Sequence, residues 1–126
     1  MPDGDGAVPE GMLRASVAAG ASGPVIVLSG EADLTCAGEL SALITAQLSR
    51  GTRQLTVDVS GLRFADSASI RALVLAARTL RERGGSLVLL QPQRPLTRLL
   101  SLTGAERMFT ILGETRGETE WQSEPG

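Results

Sequence analysis

Two serines and an aspartate lie where a predicted strand gives way to a predicted helix, in the segment Phe64-Ala65-Asp66-Ser67-Ala68-Ser69-Ile70. Asp66 or Ser67 is suited to the N-cap position, because a short side-chain oxygen can accept hydrogen bonds from the first free amides of a helix. Those amides and the positive end of the helix dipole would surround the serine hydroxyls. A hydroxyl at such a place can accept a phosphate, or it can belong to a surface that a partner protein recognises.

Hydrophobic periodicity predicts the two elements that position this segment. Apolar and polar residues alternate over residues 55–60, which predicts a strand that Ser60-Gly61 ends in a tight loop. The following helix is predicted from about Ser67 to Arg83, with Gly84-Gly85 as its stop. Its apolar stripe consists of Ile70, Leu73, Val74, Ala77 and Leu80, and its outer face carries Arg71, Arg78, Arg81 and Glu82.

The rest of the chain predicts four more strands and two more helices. The strands are residues 13–17, 25–29, 86–90 and 108–112, and the helices are one capped by Thr35 and stopped by Gly51 and one from Pro95 to Gly104. Residues 18–24 are predicted to turn a hairpin, residues 25–29 to be covered on both faces, and residues 30–35 to form a loop. The order β-β-α-β-α-β-α-β predicts an α/β fold, with a small mixed, mostly parallel sheet of four to five strands and flanking helices.

Composition divides the chain into one domain and two terminal segments. Residues 1–11 are rich in Gly, Pro and Asp and are predicted to be a flexible leader, and residues 12–113 form the domain. The polar, acidic residues 114–126 are predicted to be a flexible tail. Trp121 in this tail either rests on the surface or anchors a docking contact, and the sequence leaves both alternatives open.

The composition of the chain argues against several classes of function. A net charge of −2 with two Phe and one Trp argues against a nucleic-acid partner. No apolar run is long enough to cross a bilayer, so no membrane insertion is expected. Cys36 is the single cysteine, which excludes an internal disulfide and favours a cytoplasmic location. The chain lacks His, a nucleophile–base pair and a Gly-rich phosphate loop, so we expect no enzyme activity, metal site or cofactor.

Three segments, in this order and spacing, resemble the STAS domain and in particular the bacterial anti-sigma-factor antagonist family. Gly30-Glu31-Ala32-Asp33 is similar to the family's Gly-Glu-Leu-Asp, and residues 64–70 resemble its Phe-x-Asp-Ser-Ser-Gly-Leu. Residues 102–109, Leu-Thr-Gly-Ala-Glu-Arg-Met-Phe, resemble its Leu-Thr-Gly-Leu-x-x-x-Phe. The resemblance extends over residues 13–112 and implies the STAS fold.

The resemblance also implies a function in partner switching. Members of this family bind a GHKL-type anti-sigma factor that is also a serine kinase, and so free a sigma factor for transcription. The kinase ends the complex by phosphorylating the second Ser of the Asp-Ser-Ser motif. The partner-binding residues expected here are Asp33, Thr35, Asp66, Ser67, Ala68, Ser69 and Arg71. A homodimer remains an open alternative.

The chain departs from the family at the phosphoacceptor itself, because Ala68 has no hydroxyl. Three interpretations follow: an antagonist that the usual kinase cannot switch off, an antagonist phosphorylated on Ser67 or Ser69 instead, or a domain that has left the phospho-switch. The third interpretation includes an accessory STAS subunit of a lipid-transport ATPase complex.

Overall fold

The computed structural model of the protein describes residues 13–32 and 37–113. The predicted leader and tail lie outside the described residues, and so do Asp33, Thr35, Cys36 and Trp121. The elements within the described ranges are β1 Arg14–Gly20, β2 Gly23–Ala32, α1 Ala37–Leu48, β3 Gln54–Ala65, α2 Ser67–Glu82, β4 Ser86–Leu90, α3 Arg94–Thr103, a 3₁₀ helix Ala105–Met108 and β5 Thr110–Leu112.

The five strands form one sheet in the order β1-β2-β3-β4-β5. β1 pairs with β2 in an antiparallel hairpin, and β2 to β5 are parallel to one another. The predicted mixed, mostly parallel sheet is therefore confirmed. Each of the three crossovers, from β2 to β3, from β3 to β4 and from β4 to β5, leads to the next strand on the same side. Since such crossovers are right-handed, α1, α2 and α3 lie on the same face of the sheet.

The core lies between that face and the helices. Alternate residues of the inner strands are fully buried there, and they are Ile26, Leu28, Leu55, Val57, Val59, Leu87 and Leu89. The predicted helical stripe of α2 supplies Ile70, Leu73, Ala77 and Leu80 to the same cluster, while Val74 is half-buried against it. Burial of apolar area at roughly 25 cal/mol per Å² makes this layer the main source of stability.

The predicted tight loop at Ser60-Gly61 is wrong, because β3 continues as a strand to Ala65. Its pairing with β4 ends at Asp58, whereas its pairing with β2 continues through two register irregularities to Ala32. A Cβ on Gly61 would lie 2.9 Å from the Cβ of Ser29, so the glycine permits close approach of the two strands. Gly61 therefore marks a bulge inside a long strand.

Three other sequence predictions need correction. Gly30–Ala32 belongs to β2 and pairs with residues 62–65. The first three residues of the predicted 30–35 loop are therefore part of a strand. The hairpin turn is narrower than predicted, since the strand pairing closes at Gly20 and Gly23. β2 is not covered on both faces: Val25 and Val27 are half-buried, because the helices lie on the opposite face.

The helix ends agree more closely with the sequence. Gly51, Gly84 and Gly104 follow α1, α2 and α3 with φ of +80°, +80° and +77°, the left-handed region in which glycine has no Cβ penalty. The last strand is shorter than predicted, because Met108 closes the 3₁₀ helix and pairing begins at Thr110.

Candidate functional site

Asp66 forms the junction between β3 and α2. Its backbone is extended, and its Oδ1 accepts a hydrogen bond of 2.9 Å from the backbone N–H of Ser69. Its own N–H donates to the carbonyl oxygen of Ala32 at 2.9 Å. Asp66 is thus the N-cap of α2, and the same residue ties the helix start to the end of β2.

The three residues after the cap differ sharply in accessibility. Ser67 is exposed, Ala68 is half-buried, and Ser69 is fully buried. The Ser69 hydroxyl donates to the carbonyl oxygen of Ala32 at 3.4 Å, so it faces β2 and not solvent. Of the two candidate acceptors, Ser67 therefore presents an exposed side chain, whereas Ser69 is enclosed by the fold.

A groove of about 660 Å³ runs along α2 from this tip. Its walls come from the end of β3, the outer side of α2, α3 and the first residue of the 3₁₀ helix. The lining residues are Phe64, Ala65, Asp66, Ser67, Ile70, Arg71, Val74, Leu75, Arg78, Leu99, Thr103 and Ala105. Phe64 and Leu75 remain 50% and 44% exposed, although both are large and apolar.

The sequence predictions missed both of these exposed apolar residues. Leu75 lies on α2 outside the predicted buried stripe. A leucine at such a position could have been identified from the sequence as an exposed apolar residue. Phe64 has no such signal. Strict alternation from Leu62 would bury Phe64, but the register irregularity between Gly30 and Glu31 turns Ala65 inward instead.

Two exposed arginines, Arg71 and Arg78, line the same groove from α2. Within residues 13–32 and 37–113, neither one forms a salt bridge; the pair found there joins Arg63 and Glu31 at 4.0 Å. On the next turn of α2, Arg81 donates through Nη2 to the carbonyl oxygen of Arg107 at 3.1 Å. The groove thus combines an apolar floor with positive charge on one wall.

The structure brings five of the seven predicted site residues together at the start of α2. These are Asp66, Ser67, Ala68, Ser69 and Arg71. Asp33 and Thr35 lie outside the described residues, but Ala32 accepts hydrogen bonds from both Asp66 and Ser69. The end of β2 at Ala32 therefore lies directly beside the helix tip.

The described residues hold no group of three or more His, Cys, Asp or Glu side chains that could bind a metal ion. Among the described helices, none combines the length and the apolar character that crossing a membrane requires. The most distinctive chemistry of the described surface is thus an apolar groove beside a capped helix tip, which suits contact with another macromolecule.

Comparison with known families assigns the fold. The family described as MlaB, STAS domain, matches residues 15–113 of the chain. The chain belongs to the STAS domain family. The STAS resemblance stated from three sequence segments is thereby confirmed.

Individual STAS relatives agree with this assignment. BtrV of Bordetella bronchiseptica, a protein assigned as an anti-sigma factor antagonist, is 28% identical over 87 residues, which cover 69% of this chain and 75% of that protein. An anti-sigma factor antagonist from Mycobacterium paratuberculosis has a similar structure, with a TM-score of 0.72, 24% identity and coverage of 79% of this chain and 85% of its own. The Bacillus cell fate determinant SpoIIAA in its phosphorylated form matches with a TM-score of 0.63, 20% identity and coverage of 79% and 90%. These structural likenesses concern the fold.

Proposed function

We propose that this STAS domain is an anti-sigma-factor antagonist. It binds a GHKL-type anti-sigma factor with serine kinase activity in the cytoplasm, and so frees a sigma factor for transcription. It works as a binding module and not as an enzyme. The observation that carries the proposal is the exposed tip of α2 beside an apolar groove, in a chain whose relatives include proteins named as antagonists.

The geometry suits a rigid contact surface. Asp66 fixes the start of α2 through its side chain and joins it to β2 through its backbone, so Ser67, Ala68 and Arg71 need little ordering when a partner binds. The apolar groove supplies area whose burial favours association, and the exposed Phe64 is a candidate anchor of the kind that dominates binding energy.

Ala68 determines how such a complex is regulated. A phosphate at this position would add about −1.5 to −2 charges to the contact, and Ala68 has no oxygen to carry it. We propose that the partner kinase cannot end the complex at residue 68. Ser67 is the accessible neighbouring hydroxyl, so phosphorylation there is the remaining route within this segment.

A purified candidate kinase from the same cell tests the proposal. We expect it to bind the wild-type chain in a manner that depends on ATP or ADP, and to phosphorylate the variant Ala68→Ser on residue 68, detected by mass spectrometry of the peptide. Absence of binding under every nucleotide condition would contradict the antagonist function. Binding with an unmodified Ala68→Ser peptide would contradict the kinase part alone.

An accessory STAS subunit of a lipid-transport ATPase complex is the second candidate function. Two observations favour it. The first is the alanine at position 68, and the second is that the description of the matching family names Mlab and does not mention an anti-sigma factor antagonist. Genes for a sigma factor or a kinase next to this one would support the first function, whereas transporter genes would support the second.

A further inference from the structure

The groove beside α2 also fits a segment of this same chain. We propose that the acidic segment, residues 114–126, docks in the groove and places the indole of Trp121 against the apolar surface formed by Phe64 and Leu75. Three independent features carry this proposal: the charge of the segment, its reach, and the chemistry of the groove.

The first feature is the composition of the acidic segment. It contains Glu114, Glu118, Glu120 and Glu124 against the single Arg116, so its side chains carry a net charge of −3 by counting. Trp121 lies among these carboxylates and is the only large apolar residue in the segment. An indole offers a large apolar area and one N–H donor, which suits a partly open groove.

The second feature is where the segment begins. β3, β4 and β5 are parallel, so the carboxyl end of β5 at Leu112 lies at the same edge of the sheet as the end of β3. The residues that follow β4 contact both strands: Gln91 N–H donates to the Leu112 carbonyl oxygen at 2.7 Å, and Gln93 Nε2 donates to the Ser60 carbonyl oxygen at 2.7 Å. Ser60 precedes Phe64 by four residues on β3.

The reach of the segment exceeds the separation that it must cross. Leu112 pairs with Leu90, and Leu90 pairs with Asp58, so Phe64 lies two strand spacings across and six residues further along β3. With strand spacings of about 4.8 Å and a rise of about 3.3 Å per residue, this separation is roughly 22 Å. The eight residues from Gly113 to Trp121 span at most about 26–29 Å when extended.

The third feature is the groove itself. Arg71 and Arg78 form no salt bridge with any residue in the described ranges, and seven positions on a helix put them about 10 Å apart. Glutamates on either side of Trp121 can therefore approach these guanidinium groups while the indole covers the apolar floor. In this arrangement the acidic segment competes with any partner that uses the same surface.

Trp121 provides its own probe, because the chain contains one Trp and no Tyr. We would measure acrylamide quenching of its emission in the folded chain, in the urea-unfolded chain, and in the charge-reversed variant Arg71→Glu/Arg78→Glu. The matched control is Arg14→Glu/Arg53→Glu, which makes the same charge change at exposed positions outside the groove. Circular dichroism would verify that both variants are folded.

We expect Trp121 to be quenched less in the folded wild-type chain and in the control than in the unfolded chain. Because exposed ion pairs contribute about 0.2–1 kcal/mol each, losing two should lower the docking equilibrium constant by roughly 2- to 30-fold and raise the quenching accordingly. Equal quenching of the folded and unfolded wild-type chain would overturn the proposal. So would equal quenching of the groove variant and the control, or protection that disappears on dilution, which would indicate a second copy as the occupant. None of these outcomes bears on whether the chain binds an anti-sigma factor.

Discussion

At the scale of single residues, Asp66 links stability to the candidate site, because its carboxylate caps the helix that carries the contact surface. Replacing Asp66→Ala removes the acceptor for the Ser69 N–H. We expect the free energy of unfolding to fall by about 0.5–2 kcal/mol, measured by urea denaturation.

The variant Asp66→Ser is the matched control for this prediction. Serine is also a good N-cap, so most of the lost stability should return. Equal losses in both variants would show that the capping hydrogen bond is not what the aspartate contributes.

The difference between Ser67 and Ser69 gives a second prediction, which needs no partner. Ser67→Asp adds a carboxylate to the first turn of α2 at an exposed position, where the helix dipole favours it by about 0.3–1 kcal/mol. Ser69→Asp puts the same charge at a fully buried position without a cationic partner, which should cost about 3–5 kcal/mol. Urea denaturation of both variants measures the contrast, and similar stabilities would contradict the burial of Ser69.

At the scale of elements, a glycine before a strand and a glycine in a helix have distinct roles that can be tested. A Cβ on Gly85 would overlap the carbonyl oxygen of Arg53, which accepts the Ser86 N–H hydrogen bond that begins the pairing of β3 with β4. Gly85→Ala should therefore lower the free energy of unfolding by about 1–3 kcal/mol, because backbone must move. Thermal and urea unfolding would measure this loss.

Gly38 supplies the opposite case within the same chain. It lies exposed in α1, and a Cβ there would meet no atom of the described residues within 4 Å. Gly38→Ala should raise stability by about 0.5–1 kcal/mol, since alanine loses less backbone entropy in a helix. If both substitutions change stability in the same direction, local packing does not explain the glycine at position 85.

The helices and the sheet class could be predicted from the sequence because the signals are local. The stripe from Ile70 to Leu80, the cap at Asp66 and the glycine stops act within one or two helical turns. The continuation of β3 past Gly61 could not, because it depends on pairing with residues of β2 about 30 positions earlier. The same long-range register decides that Phe64 is exposed and Ala65 is buried, and so supplies Phe64 to the groove.

At the scale of the whole molecule, the one-sided arrangement explains where function can lie. Parallel strands bring the end of β2 at Ala32, the end of β3 and the start of α2 to the same edge of the sheet. Ligand and partner sites of open α/β sheets commonly lie at this carboxyl edge. The closeness of residues 66–69 and 71 to one another could be predicted from the sequence, whereas the groove along α2 required the packed positions of α3 and the 3₁₀ helix.

The central claim is that the tip of α2 is the surface that contacts an anti-sigma factor. The most direct test is the dissociation constant of the complex with the purified kinase, measured by titration calorimetry for the wild type, for Ala68→Asp and for the control Ala18→Asp on the exposed strand β1. A buried, unpaired carboxylate at residue 68 should cost about 1–3 kcal/mol, which raises the dissociation constant by about 5- to 150-fold, while Ala18→Asp leaves it unchanged. An unchanged affinity for Ala68→Asp would contradict the claim and place the contact elsewhere.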